Sequence, residues 1–329
     1  MRLGMIMRIG GASPRLDLDP VLEAERLGYY SAWAGEAYGT DVVSPVAWVL
    51  ARTSRIKAGT GIMQMPARTP ACAAMTAMTL QALSGNRFLC GVGPSGPQVV
   101  EGWHGVPYGK PLTRTREYIA IIRHILAREQ PLSFEGEHYQ IPYKGPGASG
   151  LGKPLKSIVH GNPDMQFYTA SFTPAGLRMA GEVADGTLPI YMSPEHAHLI
   201  TEPILEGMAS AGKPRNLANF DVAPYVRVSM GNDVEGCRDA VRAELALYIG
   251  GMGARSKNFY NDYVRRLGYE AEATLPASLI DEICLIGPAE RIRDRLEAWK
   301  QIGKDGSVGT LILAGASIDA LRVVAEAVL

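Results

Sequence analysis

The feature that most constrains the fold is a repeat in which a capping residue and a proline open a helical pattern. These pairs are Asp19-Pro20, Ser44-Pro45, Thr69-Pro70, Thr173-Pro174, Ser193-Pro194 and Gly287-Pro288. A small polar residue or glycine before proline is a common helix start, because the first turn leaves that backbone N–H unpaired anyway. Short apolar runs precede several of them, at 2–7, 29–33, 165–170 and 186–191. The chain therefore alternates strands with helices.

The apolar runs are nearly continuous rather than alternating, which is typical of parallel strands buried on both faces. Helical periodicity covers 112–129, 174–184, 195–211, 234–249, 288–302 and 318–328, and a last strand is expected at 309–315. About eight strand–helix pairs favour one α/β domain over residues 1–329, a (β/α)8 TIM barrel, with a doubly wound sheet as the alternative. In such a barrel the site lies at the carboxyl ends of the strands.

Two excursions interrupt the repeat. Residues 130–165 begin like a small hairpin and continue as a Gly/Pro-rich surface loop, "KGPGASGLGKP". Residues 250–273 are rich in aromatic side chains and arginine. No linker or low-complexity stretch divides the chain, so a single domain is expected.

Composition excludes several classes of protein. Lys plus Arg and Asp plus Glu both number 33, which argues against a general nucleic-acid binder. The cysteines at 72, 90, 237 and 284 match no zinc or redox spacing, so no metal site is expected. No leader pattern opens the chain and no apolar run is long enough to cross a membrane. A cytoplasmic protein is expected.

Residues 90–110 contain the pattern G-x-G-x-x-G at Gly91, Gly93 and Gly96. A dinucleotide fingerprint requires a helix that opens from the third glycine. Prolines at 94, 97 and 107 and further glycines predict a long loop instead, with the next helix near Leu112. We therefore interpret the match as coincidental and expect the loop to line the strand-end site.

Several segments together resemble the luciferase-like monooxygenase superfamily, in particular the branch named for the deazaflavin coenzyme F420. They are "WAGEAYGTD" (33–41), "GTGIMQMPARTP" (59–70), "GVGPSGPQVVEGWHGVPYGKPLTRTREYI" (91–119), "FEGEHYQIP" (134–142), "GLGKPLK" (150–156), "LRMAGEVADGTLPIYMSPE" (177–195), "YIGGMGARSKNFYNDYVRRLGY" (248–269) and "LIGPAERIRDRL" (285–296). The resemblance implies a TIM barrel, usually dimeric or larger. It also implies that a flavin or deazaflavin binds at the mouth and exchanges a hydride at ring carbon 5.

The resemblance also implies site residues. Gly61 and Ile62 match a non-proline cis peptide that supports the back of the ring, and Gly93, Pro94, Ser95 and Gly96 match positions near the cofactor. The stretch Ser171, Phe172 and Thr173 matches a cradle for the phosphate-bearing tail, at a helix N-terminus that favours anions. Many relatives carry a small residue and glycine in place of Phe172-Thr173. Thr173 also fits a plain helix cap.

Many deazaflavin-dependent relatives end the second strand with an acidic residue, a histidine and an aromatic residue. Here the positions read Glu36-Ala37-Tyr38, so alanine replaces the histidine. We hypothesise that Glu36 contacts the cofactor and takes part in proton transfer, with Tyr38 as a further donor. The alternatives are that Glu36 only positions the cofactor or caps a helix, or that water supplies the proton.

Other candidates are weaker. Residues 250–252 and 258–263 match a segment that often overhangs the substrate cavity, where Arg255, Arg265 or Arg266 would bind an acid. His160 follows a predicted strand at 155–159 and is the one histidine expected near the mouth.

Together these expectations predict a homodimer that transfers a hydride between coenzyme F420 and a small organic substrate. One alternative is an FMN-dependent monooxygenase, because a 5-deazaflavin lacks N5 and does not readily form the oxygen adduct. The other is a deazaflavin-binding protein without catalysis.

Overall fold

The computed structural model describes residues 1–214, 216–249, 258–270 and 275–329. The strands in these ranges are β1 Arg2–Ile6, β2 Ile9–Gly10, β3 Arg15–Leu16, β4 Ser31–Ala34, β5 Lys57–Thr60, β6 Met63–Gln64, β7 Phe88–Gly93, β8 Phe134–Glu135, β9 Gln140–Ile141, β10 Phe167–Thr169, β11 Gly186–Thr187, β12 Asp221–Val222, β13 Tyr225–Met230, β14 Cys284–Gly287 and β15 Thr310–Ala314.

The α-helices are α1 Asp19–Leu27, α2 Val43–Arg52, α3 Pro70–Ser84, α4 Pro97–Gly102, α5 Pro111–Ala127, α6 Pro174–Val183, α7 His198–Ser210, α8 Val234–Ile249, α9 Phe259–Arg266, α10 Ala277–Ile283, α11 Ala289–Lys304 and α12 Ile318–Val328. A 3₁₀ turn covers Met65–Ala67. The predicted alternation of strands and helices is confirmed, and so are the six long helices to within a few residues. None of the described helices is long and apolar enough to cross a bilayer.

Two predictions were wrong. The stretch 94–111 is not all loop, because α4 begins at Pro97 with Gly96 as its N-cap. Proline is favoured at this first helical position, so Pro97 starts the helix that it was expected to prevent. Residues 155–159 form no strand: the backbone there is irregular and exposed, and His160 is exposed too.

The chain divides into two compact units. The first comprises Met1–Ala32, Ser171–Glu182 and Gly186–Leu329, and the second comprises Trp33–Ala170 and Val183–Asp185. Neither unit is a continuous half of the sequence. The expectation that residues 1–329 form one domain stays a prediction.

In the second unit, β7 pairs in parallel with β5, β6 and β10. All six residues of β7 are buried, as continuous apolar runs predict. Trp33 is fully buried and packs edge-on against Tyr168, with ring centroids 5.1 Å apart. A Cβ at Gly59 would lie 2.5 Å from the Trp33 ring, so only glycine lets β5 pass the indole.

The first unit holds a second set of parallel pairs. β15 pairs with β1 and β13, and β13 pairs with β14, while β11 pairs with β12. The strands β14 and β15 are buried along their whole length. Trp299 of α11 is fully buried.

The predicted excursion after α5 is present. It begins with the antiparallel hairpin β8–β9 and continues as an irregular, mostly exposed stretch. The carboxylate of Glu117 in α5 accepts backbone hydrogen bonds from residues 137, 138 and 139, at 2.7, 2.9 and 3.2 Å. One helical side chain therefore holds the hairpin turn in place.

Candidate active site

The carboxyl ends of β4, β5 and β7 form one edge of the second unit. Gly61 N donates to Ala34 O at 2.6 Å, which joins the end of β4 to the residue after β5. The strands are buried, but residues 35, 37–39 and 61–62 beyond their ends are accessible. The Gly61–Ile62 peptide is cis, as predicted. Small residues thus leave backbone open to a ligand where three strands end.

Glu36 is the centre of a polar network at this edge. Arg68 donates to both carboxylate oxygens, at 2.7 and 2.8 Å. The backbone N–H groups of Gln64 and Val42 donate to the same carboxylate at 2.9 and 3.3 Å. The side chains of Glu36 and Arg68 are only 8% and 15% exposed. Hydrogen bonding to Glu36 raises the pKa of Arg68 against the opposing effect of burial, so Arg68 stays charged.

Gln64 extends this network to a histidine. The residue is fully buried in β6, opposite Gly93 of β7. Its amide nitrogen donates to the carbonyls of Glu36 and Ala37, at 2.8 Å each. Its amide oxygen lies 2.6 Å from His104 Nε2. We call Glu36, Gln64, Arg68 and His104 the carboxylate network.

The loop after β7 lies beside this edge. Gly93 ends the strand, and a Cβ there would fall 3.0 Å from the Ile62 side chain, so glycine permits the close contact with the cis peptide. Ser95 adopts a left-handed backbone with φ +65°. Pro94, Ser95 and Gly96 are partly accessible. The structure thus brings Gly61, Ile62 and the start of the loop together in one unit.

The two predicted proton donors differ in their surroundings. Glu36 is almost buried and its carboxylate accepts four hydrogen bonds. Tyr38 is 69% exposed. Hydrogen-bond donors therefore hold the Glu36 carboxylate in place.

The predicted tail site, residues 171–173, lies in the first unit directly before α6. Ser171 is buried, and Thr173 Oγ1 accepts a hydrogen bond from Gly176 N at 3.2 Å. Thr173 therefore caps α6, as one of the two interpretations held. The first-turn N–H groups and the dipole of the ten-residue helix still favour an anion at this end.

Phe172 belongs to a group of aromatic side chains in the same unit. It stacks on Tyr260 with centroids 5.0 Å apart and an interplanar angle of 25°. Tyr191 and Tyr248 contact Tyr260 edge-on, at 6.0 and 5.5 Å. The aromatic cluster, as we call it, comprises Phe172, Tyr191, Tyr248, Phe259, Tyr260 and Tyr263. Burial raises the pKa of Tyr191 well above its usual range, so its hydroxyl is neutral.

Other predicted residues fall outside these sites. Arg265 pairs with Asp262 on the surface of α9, and Arg266 donates to Leu199 O at 3.4 Å. Residues 250–252 and Arg255, predicted to overhang the substrate, lie outside the described residues. Among the described residues no cluster could hold a metal ion, and all four cysteines are free.

The first unit also contains a cavity of about 550 Å³ lined by α10, β14 and α11. Six of its titratable side chains pair with one another, through Arg295–Glu195, His196–Glu282 and Arg291–Asp281, and Asp294 lines it as well.

Sequence reasoning missed three members of the carboxylate network: Gln64, Arg68 and His104. Gln64 and Arg68 stand inside the segment 59–70, which contains no acidic residue, so nothing in it points to an ion pair with Glu36, 32 positions earlier. His104 was placed on a loop and given no role. Its partner is 40 residues away in sequence, so no local signal reveals the contact.

Comparisons with known proteins identify the family of the chain. The chain belongs to the luciferase-like monooxygenase family, which it matches over residues 7–306. It is 37% identical over 347 residues to a Mycobacterium tuberculosis protein provisionally named a coenzyme F420-dependent oxidoreductase. That match covers 100% of this chain and 99% of the relative.

Two solved structures share the fold. An F420-dependent secondary alcohol dehydrogenase in complex with an F420–acetone adduct matches with a TM-score of 0.76 and 16% identity, over 100% of this chain and 98% of the other. The coenzyme F420-dependent tetrahydromethanopterin reductase of Methanopyrus kandleri matches with a TM-score of 0.75 and 21% identity, over 99% and 98%. These likenesses confirm the predicted fold class, the α/β barrel of this family.

Proposed function

We propose that this protein is an F420-dependent oxidoreductase that moves a hydride to or from a small organic substrate. The observation that carries the proposal is the site at the strand ends, around residues 35–37, 61–62 and 93–96, whose residues fit a deazaflavin. A relative that matches over the full length also bears the name of an F420 enzyme. Coenzyme F420 is the cofactor. When bound, it supplies the hydride at ring carbon 5; the protein binds it, orients it and excludes water.

The residues around the cis peptide fit a flat ring. Gly35, Ala37 and Gly61 carry no bulky side chain, so the backbone of two strand ends is open to a planar ligand. Gly93 brings the next strand end against Ile62. Gly61, Ile62 and the loop 93–96 would therefore hold the ring.

Glu36 has a positioning role in this proposal. Its carboxylate joins the end of β4 to Gln64 and Arg68, which follow β5. To act as an acid, Glu36 would have to carry a proton on a carboxylate oxygen that already accepts a hydrogen bond from Arg68. The bidentate pair therefore supports positioning over proton transfer.

A test of Glu36 uses Glu36→Gln, which cannot ionise. We expect weaker F420 binding, because the amide cannot accept from both Arg68 nitrogens, while the pH profile of turnover keeps its shape. A profile that loses one limb would instead show that Glu36 exchanges a proton.

The α6 N-terminus would hold the phosphate of the cofactor tail, with Ser171 and Thr173 beside it. Support comes from the buried Ser171 and from the helix dipole. Phe172, which departs from the usual small residue, turns its ring onto Tyr260. The ring is thus used in packing and leaves the backbone of the turn to face an anion.

The deciding experiment is titration of the purified protein with F420 and, separately, with FMN. We expect saturable binding of F420 and weaker binding of FMN. Binding of FMN alone would make the protein a flavin-dependent monooxygenase. Binding of F420 without turnover across a panel of ketones, imines and conjugated alkenes would favour a deazaflavin-binding protein.

Two further expectations accompany this function. The family resemblance predicts a homodimer, which sedimentation of the purified protein would test. A cytoplasmic location also stays a prediction, and fractionation of the producing cells would test it.

A further inference from the structure

We propose that His104 carries the proton that accompanies hydride transfer, in place of the histidine that Ala37 replaces. This inference rests on the proposed function and adds the proton-transfer group. It starts from the hydrogen bond between His104 Nε2 and Gln64 Oε1, at 2.6 Å.

The surroundings of Gln64 determine which nitrogen of His104 holds hydrogen. Gln64 Nε2 lies 2.8 Å from two carbonyl oxygens, those of Glu36 and Ala37. A carbonyl only accepts, so the amide NH₂ must face both of them and the amide orientation is fixed. The amide oxygen is then the atom that faces the imidazole. Since this oxygen also only accepts, His104 Nε2 must be protonated.

The exchangeable position of His104 is therefore Nδ1. In the neutral ring with hydrogen on Nε2, the lone pair is on Nδ1. Across the described ranges, the bond to Gln64 is the one hydrogen bond that the ring makes. The residue is partly accessible, and His104 N is anchored to Val99 O at 3.1 Å. The ring is held at one nitrogen and free to exchange a proton at the other.

His104 also lies at the same edge of the second unit as the strand-end site. Gln64 connects it directly to the backbone of Ala37, the position of the absent histidine. The short helix that follows the loop 93–96 leads into His104. One hydrogen-bonded side chain thus links this imidazole to the residues proposed to hold the ring.

In the reducing direction, the carbon of a C=O group receives a hydride from the reduced deazaflavin, and its oxygen receives the proton from Nδ1 of the His104 imidazolium. The C=O π bond breaks, and a C–H bond and an O–H bond form. His104 becomes neutral and takes a proton from solvent. In the oxidising direction the C–H and O–H bonds of the alcohol break and the C=O π bond forms, while oxidised deazaflavin accepts the hydride. Nδ1 accepts the alcohol proton and then releases it to solvent.

The charged and titratable groups around His104 stand on two sides. On the Gln64 side stand Glu36 and Arg68, which pair with each other, and Asp41 and Tyr118 lie near Arg68. On its own segment is Glu101, which accepts from Tyr108 N at 3.3 Å.

The first test is ¹⁵N NMR of the full-length protein without cofactor, with the His104 signals assigned by comparison with His104→Gln. Nε2 should be protonated both before and after the imidazole titrates, with Nδ1 as the atom that changes. A neutral ring with hydrogen on Nδ1, or a ring that does not titrate, would overturn the proposal.

The second test compares wild type, His104→Gln and the exposed control His198→Gln, with reduced F420 and cyclohexanone as the probe substrate. Glutamine can keep a hydrogen bond but cannot exchange a proton. We expect turnover of His104→Gln to fall by about 10²- to 10⁴-fold and to lose one limb of its pH profile. F420 affinity should stay within about twofold, a change of ~0.4 kcal/mol. His198→Gln should match wild type.

The outcomes separate the two proposals. Unchanged turnover and pH profile in His104→Gln, with normal F420 binding, would overturn the proton role alone. A wild-type protein that does not bind F420 would overturn the proposed function, and the proton role with it. If the wild type binds F420 but leaves cyclohexanone unchanged, the NMR result decides the proton role.

Discussion

The carboxylate network and the aromatic cluster both begin where a buried strand ends, yet different forces order them. In the first, Arg68 and two backbone N–H groups of Gln64 and Val42 surround one carboxylate. In the second, ring contacts predominate, such as the stack of Phe172 on Tyr260. Hydrogen bonds fix the direction of each contact, whereas ring packing contributes contact area with less angular control.

This difference suggests a division of roles. Under the proposed function the carboxylate network would orient a ring and exchange a proton, and both tasks need the fixed geometry that hydrogen bonds give. Ring packing in the aromatic cluster tolerates substitution more readily. Removing one side chain should therefore lower the free energy of unfolding more in the carboxylate network than in the aromatic cluster.

The largest effect is expected for Arg68→Ala. It leaves the nearly buried Glu36 carboxylate without its cation, so the free energy of unfolding should fall by about 2–4 kcal/mol. Urea denaturation measures the loss, and F420 titration should show weaker binding. The matched control is Arg26→Ala, which removes one of the two arginines that pair with Glu23 at the surface. An equal loss in both variants would mean that burial of the network adds nothing.

Phe172→Ala should have the next largest effect. It removes the stack on Tyr260 and edge contacts with Phe259 and Tyr263, which predicts a loss of about 1–3 kcal/mol in unfolding free energy. Phe172→Leu keeps apolar volume without a ring and should recover part of it. A leucine variant as stable as wild type would show that ring geometry is unimportant here.

Thr173→Glu places a negative charge at the N-terminus of α6, where the anionic tail is proposed to bind. F420 affinity should fall about tenfold, or ~1.4 kcal/mol, while the far-UV circular dichroism stays that of wild type. Thr173→Ser, which keeps the capping oxygen, is the control. Unchanged affinity in Thr173→Glu would place the tail elsewhere.

The smallest effect on stability is expected for Tyr38→Phe. Because Tyr38 is largely exposed, the free energy of unfolding should change by less than about 0.5 kcal/mol. Steady-state kinetics then report on the hydroxyl alone. Reduced turnover with normal F420 binding would support Tyr38 as a proton donor and weaken the case for His104.

Local patterns in the sequence determined most of the secondary structure. A capping Thr before proline marks the start of α3 and α6, since both signals act within one helical turn. Continuous apolar runs marked the buried strands. The same local reasoning failed at Pro97, because a proline can begin a helix as well as prevent one, and its neighbours do not show which applies.

The resemblance to a family located further features, including the Gly61–Ile62 cis peptide and the loop 93–96. It could not give the state of Glu36. Whether that side chain is an acid or an ion-pair partner depends on Arg68, 32 residues away.

The sequence by itself thus determined the alternation of strands and helices, the fold class and the strand end at which Glu36 stands. The tertiary structure alone decided how its polar groups pair: Glu36 with Arg68, Gln64 with two carbonyls, and His104 with Gln64. The physical reason is the separation along the chain over which each interaction acts. Helix caps and apolar runs act between residues a few positions apart, whereas these hydrogen bonds join residues 27–40 positions apart, which approach one another only when neighbouring strands end at the same edge.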